Sequence, residues 1–129
     1  MNELLKIMYV DDEADIRTIV EFALEDEADF ELRICASGQE ALDTIGDYRP
    51  DFILLDVMMP GMDGPATLQR LHELPDFAKV PVVFVTAKVQ PQEVAHFKAI
   101  GAMDVIAKPF DPMALADQVR HIWDRIAHV

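Results

Sequence analysis

Short apolar runs alternate with helix-like segments along this chain, and that alternation constrains the fold more than any other feature. The runs are Ile7–Val10, Phe30–Cys35, Phe52–Leu55, Val80–Val85 and Val105–Ala107. They are rich in Val, Ile and Phe, and several are apolar at successive positions, the pattern of strands covered on both faces. Between them, Ile16, Ile19, Val20, Ala23 and Leu24 form one helical stripe. Ala41, Leu42 and Ile45 form a second, opened by Ser37 with Glu40 at capping-box spacing. Leu68 and Leu71 mark a third, with Pro65 suited to its first turn. Val94, Phe97 and Ala99–Ile100 mark a fourth, with Pro91 near its start, and Leu115, Val119, Ile122 and Ile126 mark the last. Strand–helix units repeated in this way predict an α/β doubly wound fold, a parallel sheet with helices on both faces. No linker or low-complexity stretch interrupts the pattern, so residues 1–129 read as one domain.

The bulk properties agree. A chain of 129 residues, 51% hydrophobic, is the size of one compact domain and can build a core. Eleven basic residues against 24 acidic ones give a net charge of −13. That argues against direct binding to nucleic acid or to an anionic membrane, both of which need a basic surface. It suits cations and basic partner surfaces. Cys35 is the single cysteine, which rules out an internal disulfide and reads as a small core hydrophobe. The apolar stretches are short of a membrane span, and the N-terminus lacks the basic flank and cleavage site of a signal peptide. The expected location is cytoplasmic.

The residues that follow the runs carry the chemistry. Ile7–Val10 leads into Asp11 and Asp12, Phe52–Leu55 into Asp56, Val80–Val85 into Thr86, and Val105–Ala107 into Lys108. In an open parallel sheet the carboxyl ends of the strands share one edge, and ligands bind there where the strand order reverses. Singly, each residue has a plainer role: an Asp capping the next helix, an Asp opening a turn, a solvated Lys. Jointly they gather three carboxylates, a hydroxyl and an ammonium. At about 5 Å and an effective dielectric near 20, each carboxylate pair repels by roughly 3 kcal/mol. Three such pairs oppose folding by an amount comparable with the stability of a whole domain. A hard divalent cation with oxygen ligands, Mg²⁺ above all, is the natural neutraliser, with Lys108 as a second compensating charge.

With "VDDE" (Val10–Glu13), "LLDVMMPGMDG" (Leu54–Gly64), "VTA" (Val85–Ala87) and "KPF" (Lys108–Phe110) in this order, the sequence resembles the receiver domain of bacterial response regulators over essentially its whole length. The resemblance implies a flavodoxin-like sheet of order 2-1-3-4-5. It implies a Mg²⁺-dependent phosphoacceptor of two-component signalling, a switch and not a turnover enzyme, in which Asp56 takes a phosphoryl group from a histidine kinase or histidine phosphotransfer protein. It further implies that Asp12, Asp56 and the Met58 carbonyl bind Mg²⁺, that Asp11 acts mostly through water, and that Thr86 and Lys108 hold the phosphoryl oxygens. A cis Lys108–Pro109 bond is also implied. The downstream partner is an effector protein or domain. The face made by the fourth helix, fifth strand and fifth helix is the output surface and a possible homodimer interface. Trp123 reads as a core-edge residue that could also join Val105 in such a patch. The family often has an aromatic residue where this chain has Val105, so an aromatic toggle is unavailable here. Whether the chain is a natural single-domain regulator or a piece of a longer protein stays open.

Other classes fit less well. An aspartate-nucleophile phosphatase needs a second carboxylate two residues past the nucleophile, where this chain has Met58. A flavin-binding flavodoxin needs a hydroxyl-rich phosphate loop where this chain has "DDEAD". A receiver-like module used only for docking remains the alternative, although none of the acids nor the lysine is missing. Met58, Met59 and Met62 are expected to fill gaps around their loop. His72, His96, His121 and His128 lack metal-ligand spacing and are expected at the surface or at helix ends.

Overall fold

The computed structural model describes residues 4–127. In chain order the elements are β1 (Leu5–Val10), α1 (Ala14–Leu24), β2 (Phe30–Cys35), α2 (Gly38–Tyr48), β3 (Phe52–Asp56), α3 (Gly64–His72), a 3-10 turn (Pro75–Phe77), β4 (Val82–Thr86), α4 (Pro91–Ala99), β5 (Asp104–Ala107) and α5 (Leu115–Ala127). The five strands form one parallel sheet of order β2-β1-β3-β4-β5. This is the flavodoxin-like arrangement expected from the sequence.

Side-chain alternation along the strands splits the core into two layers. Met8, Val10, Ile53, Leu55, Val82 and Phe84 pack with Ala41, Ile45, Leu68, Leu71 and Phe97. Ile7, Tyr9, Phe52, Leu54, Val83, Val85 and Ile106 pack with Val20, Leu24, Leu115, Val119 and Ile122. Hence α2, α3 and α4 cover one face, and α1 and α5 the other. The consecutive apolar runs are buried throughout in β3 and β4, where both faces are covered. Double coverage fails at the edges. In β2 only Phe30 and Cys35 are buried, and Glu31 is exposed, because an edge strand has a neighbour on one side alone. The fourth strand starts at Val82, not Val80: Pro81 has no N–H for the ladder, and the Val80 amide closes the 3-10 turn on Phe77.

Local signals act as expected. The Ser37 hydroxyl caps α2 through the Glu40 amide at 3.0 Å, and the Glu40 carboxylate reaches back to the Ala36 amide at 2.9 Å. Pro65 and Pro91 lie in the first turns of α3 and α4. Cys35 is fully buried, and burial pushes its thiol up to about 11, so it serves as an inert core residue. Trp123 packs edge-to-face on Phe52, with ring centroids 6.0 Å apart. Val105 packs into the layer on the opposite face of the sheet, so the two do not form one patch.

Candidate functional site

The carboxyl edge of the sheet brings the expected residues together. Asp11 follows β1, Asp56 ends β3, Thr86 ends β4 and Lys108 follows β5. Ligand oxygens of Asp11, Asp12 and Asp56 lie within 4.8 Å of one another. Lys108 Nζ donates to Asp56 Oδ1 at 2.9 Å and to Asp11 Oδ2 at 3.0 Å. Its backbone is fixed as well, since the Lys108 amide donates to the Thr86 carbonyl at 2.9 Å. The Lys108–Pro109 peptide bond is cis, as the resemblance implies.

The three acids differ in surroundings. Asp11 is fully buried, and both its carboxylate oxygens are bonded: the Tyr9 hydroxyl donates to Oδ2 at 2.7 Å, and the Glu13 amide to Oδ1 at 3.0 Å. The second bond is the local turn that a lone Asp at a strand end is expected to make. Asp12 is exposed. Asp56 is 3% exposed, and its Oδ2 has no hydrogen-bond partner although it is buried. Burial, and then the charges of Asp11 and Asp12, push the Asp56 carboxyl up to about 6 against the pull of Lys108. Burial alone would lower the Lys108 ammonium, but its bonds to Asp56 and Asp11 outweigh that and hold it above its ordinary value. An all-oxygen donor set with one orphaned, buried carboxylate oxygen fits a hard divalent cation.

Thr86 is buried, and its hydroxyl accepts from the Lys88 amide at 3.1 Å, a self-contained turn at the end of β4. Met59 is buried as expected, whereas the Met58 side chain is 66% exposed. Gap-filling therefore does not describe Met58, whose side chain faces solvent two residues past Asp56. Among the described residues, the histidines join no group of metal-ligating side chains; His72 Nε2 instead bonds the Val80 carbonyl at 3.0 Å. His128 lies outside the described residues.

Two residues escape a reading of the sequence. Tyr9 belongs to an apolar run, yet it touches Asp11; residues two apart on a strand share a face, and that spacing is the signal. Gly64 opens α3 against the end of β3. A Cβ there would lie 2.6 Å from the Asp56 carbonyl oxygen and 2.7 Å from Val57 Cα, so only glycine lets the helix seat beside the strand carrying Asp56.

The likeness to known proteins points the same way. The response regulator receiver domain family matches residues 7–120. The chain is 36% identical over 125 residues to the response regulator Rre1 of Synechocystis sp., covering 97% of this chain and 54% of that protein. It is 33% identical over 128 residues to the transcriptional regulatory protein CseB of Streptomyces avermitilis, covering 99% of this chain and 53% of that protein. The chain thus spans about half the length of these curated relatives. The chemotaxis response regulator CheY4 of Vibrio cholerae superposes with a TM-score of 0.84 at 31% identity, covering 92% of this chain and 98% of that one. Sequence motifs, sheet order and the gathering of acids around one lysine agree with these relatives, and the chain belongs to the response regulator receiver domain family.

Proposed function

We propose that Asp56 accepts a phosphoryl group from a phosphohistidine on a partner kinase or phosphotransfer protein. The observation that carries this reading is the state of Asp56. Its carboxylate ends a central strand, is 3% exposed, is bonded through one oxygen to Lys108 and keeps the other without a partner. A carboxylate is a competent nucleophile, and phosphoryl transfer needs little from the protein beyond positioning and charge neutralisation. The Asp56 oxygen attacks phosphorus as the bond to the donor nitrogen breaks, leaving an aspartyl phosphate and a neutral donor histidine. Asp12, Asp56 and the Met58 carbonyl would hold Mg²⁺, with Asp11 assisting through water, and the ion would supply a counter-charge for the phosphoryl oxygens. Lys108 moves its donors from the two acids to those oxygens. Thr86 leaves its turn with Lys88 to donate to another.

The aspartyl phosphate is the signal. Charge-assisted bonds of roughly 1.5–3 kcal/mol each, from Lys108 and Thr86, supply much of the roughly 5.5 kcal/mol that a full two-state shift needs. The output passes to an effector protein or domain by contact, over the face made by α4, β5 and α5, which is also a possible homodimer interface. Residues 1–129 act as one receiver unit, in the cytoplasm. No helix among the described residues is long and apolar enough to cross a membrane.

Incubation with a small phosphodonor and Mg²⁺, followed by intact mass, tests the reading. The protein is expected to gain one phosphoryl group, and Asp56→Asn none. Label that persists in Asp56→Asn moves the nucleophile elsewhere. No label, with no metal binding, leaves a docking module.

A further inference from the structure

The phosphoacceptor reading leaves one feature of the rim without a purpose, the three protein donors on the Asp11 carboxylate. The Tyr9 hydroxyl and Lys108 Nζ donate to its Oδ2 at 2.7 and 3.0 Å, and the Glu13 amide to its Oδ1 at 3.0 Å. Arg17 Nη1 adds a bond to its backbone oxygen at 2.9 Å. Both carboxylate oxygens of Asp11 are taken by protein donors, whereas Asp56 keeps one without a partner. Tyr9 is 1% exposed and Asp11 0%, so the phenol–carboxylate bond is shielded from water and acts at low dielectric.

We propose that Tyr9 is a positioning residue that sets the cation affinity of the rim: its hydroxyl shares the charge of Asp11 with Lys108 and keeps Asp11 from ligating a cation directly. Direct ligation is left to Asp12 and Asp56. This rests on the phosphoacceptor reading and deepens it. Without the hydroxyl, Oδ2 regains an acceptor site and the rim holds more uncompensated negative charge. A divalent cation then relieves more repulsion, so the rim binds it more tightly and the fold depends on it more.

The test is calorimetric titration of wild type and Tyr9→Phe with MgCl₂, beside thermal unfolding in EDTA and in saturating Mg²⁺. Tyr9→Phe is expected to bind Mg²⁺ about tenfold more tightly, equivalent to about 1.4 kcal/mol. Its Tm deficit in EDTA shrinks once Mg²⁺ saturates. In an Asp11→Asn background, where the phenol has no charge to share, adding Tyr9→Phe leaves Mg²⁺ affinity unchanged; a gain that persists there overturns the proposal. Equal affinities with the same Tm loss in both conditions reduce Tyr9 to a core side chain and overturn the proposal, as does weaker binding by Tyr9→Phe. A wild type that binds no Mg²⁺ overturns the phosphoacceptor reading itself, and this proposal with it.

Discussion

Two regions at opposite ends of the sheet set one cation among several acids. At the carboxyl edge, Lys108 meets Asp11 and Asp56, with the Glu13 carboxylate 3.7 Å away. At the amino end, before β2, Arg120 grips Asp29 with two bonds at 2.9 and 2.8 Å, reaches Asp117 at 3.1 Å and pairs with Glu27. Its guanidinium lies 4.8 Å from the centre of the Phe30 ring. The charge excess is similar, but the surroundings are not. The side chains of Lys108, Asp11 and Asp56 are 16%, 0% and 4% exposed, against 34%, 47% and 86% for Arg120, Asp29 and Asp117. In the wet cluster a planar fork satisfies its acids and solvent screens the remainder. In the dry one a point charge is shared between two carboxylates, and an oxygen of Asp56 is left over. Burial of unsatisfied charge, more than charge excess, separates the rim from the surface clamp.

Removing each cation breaks the comparison most sharply. Lys108→Met leaves two buried carboxylates facing each other and is expected to cost about 3–5 kcal/mol in EDTA at neutral pH, part of it recovered by Mg²⁺. Arg120→Met keeps an apolar stem over Phe30 and breaks exposed pairs worth about 1 kcal/mol or less each, without response to Mg²⁺. Urea unfolding of both variants measures this. Equal losses would mean that burial does not distinguish the clusters.

The pH dependence of the two ends has opposite sign. Asp56 is raised from 3.8 to about 6, so across that window the folded chain holds a proton that the unfolded chain has lost. In EDTA its contribution is full below about pH 4 and disappears as pH rises through about 6, a change of roughly 3 kcal/mol. Asp29 is lowered, chiefly by its bond to Arg120, so its contribution is present above its ordinary value and lost as pH falls. Asp56→Asn should flatten the first slope and Arg120→Met the second. A slope between pH 4 and 6 that survives Asp56→Asn would assign it to another group.

Next in size is Gly64→Ala, whose Cβ would press on the Asp56 carbonyl at 2.6 Å. Overpacking of this kind costs about 1–3 kcal/mol. Because the clash falls on the strand end that carries Asp56, phosphoryl labelling should slow as well. An alanine variant with full stability and labelling rate would show that α3 can back away from the strand.

The rim was legible in the sequence because strand termini are local. Apolar runs that end in Asp56, Thr86 or Lys108 announce both the strand and what stands at its tip, and a parallel sheet collects the tips on one edge. What escaped depends on contact between elements. The Arg120 clamp draws on Glu27 and Asp29, in the segment between α1 and β2, which only the docking of α5 brings to Arg120; Asp117 lies three residues before it on the same helix. The exposure of Glu31 and the partial exposure of Arg33 follow from the place of β2 at the sheet edge, which topology sets and composition does not. Gly64 ends the Leu54–Gly64 motif in the sequence, and its closeness to β3 appears only when α3 is seated. The orphaned oxygen of Asp56 is a matter of side-chain geometry that no spacing encodes.

The smallest expected effect concerns how the rim communicates. Only Phe97 is buried in α4, and it meets Phe84 edge-to-face at 5.1 Å, two residues before Thr86 on the same strand. On the other face, Val119 and Ile122 of α5 are buried, and Trp123 packs beside them on Phe52. A helix held by one ring opens at lower free energy than one held along its length. If Thr86 leaves its turn on phosphorylation, β4 and the loop after it shift first, and Phe97 transmits that shift to α4. Amide exchange in α4 should therefore change on phosphorylation by more than exchange in α5, with Trp123 emission nearly constant. A larger response in α5 than in α4 would route the signal through Lys108 and the loop after β5, and would place the responsive surface on the α1–α5 face of the sheet.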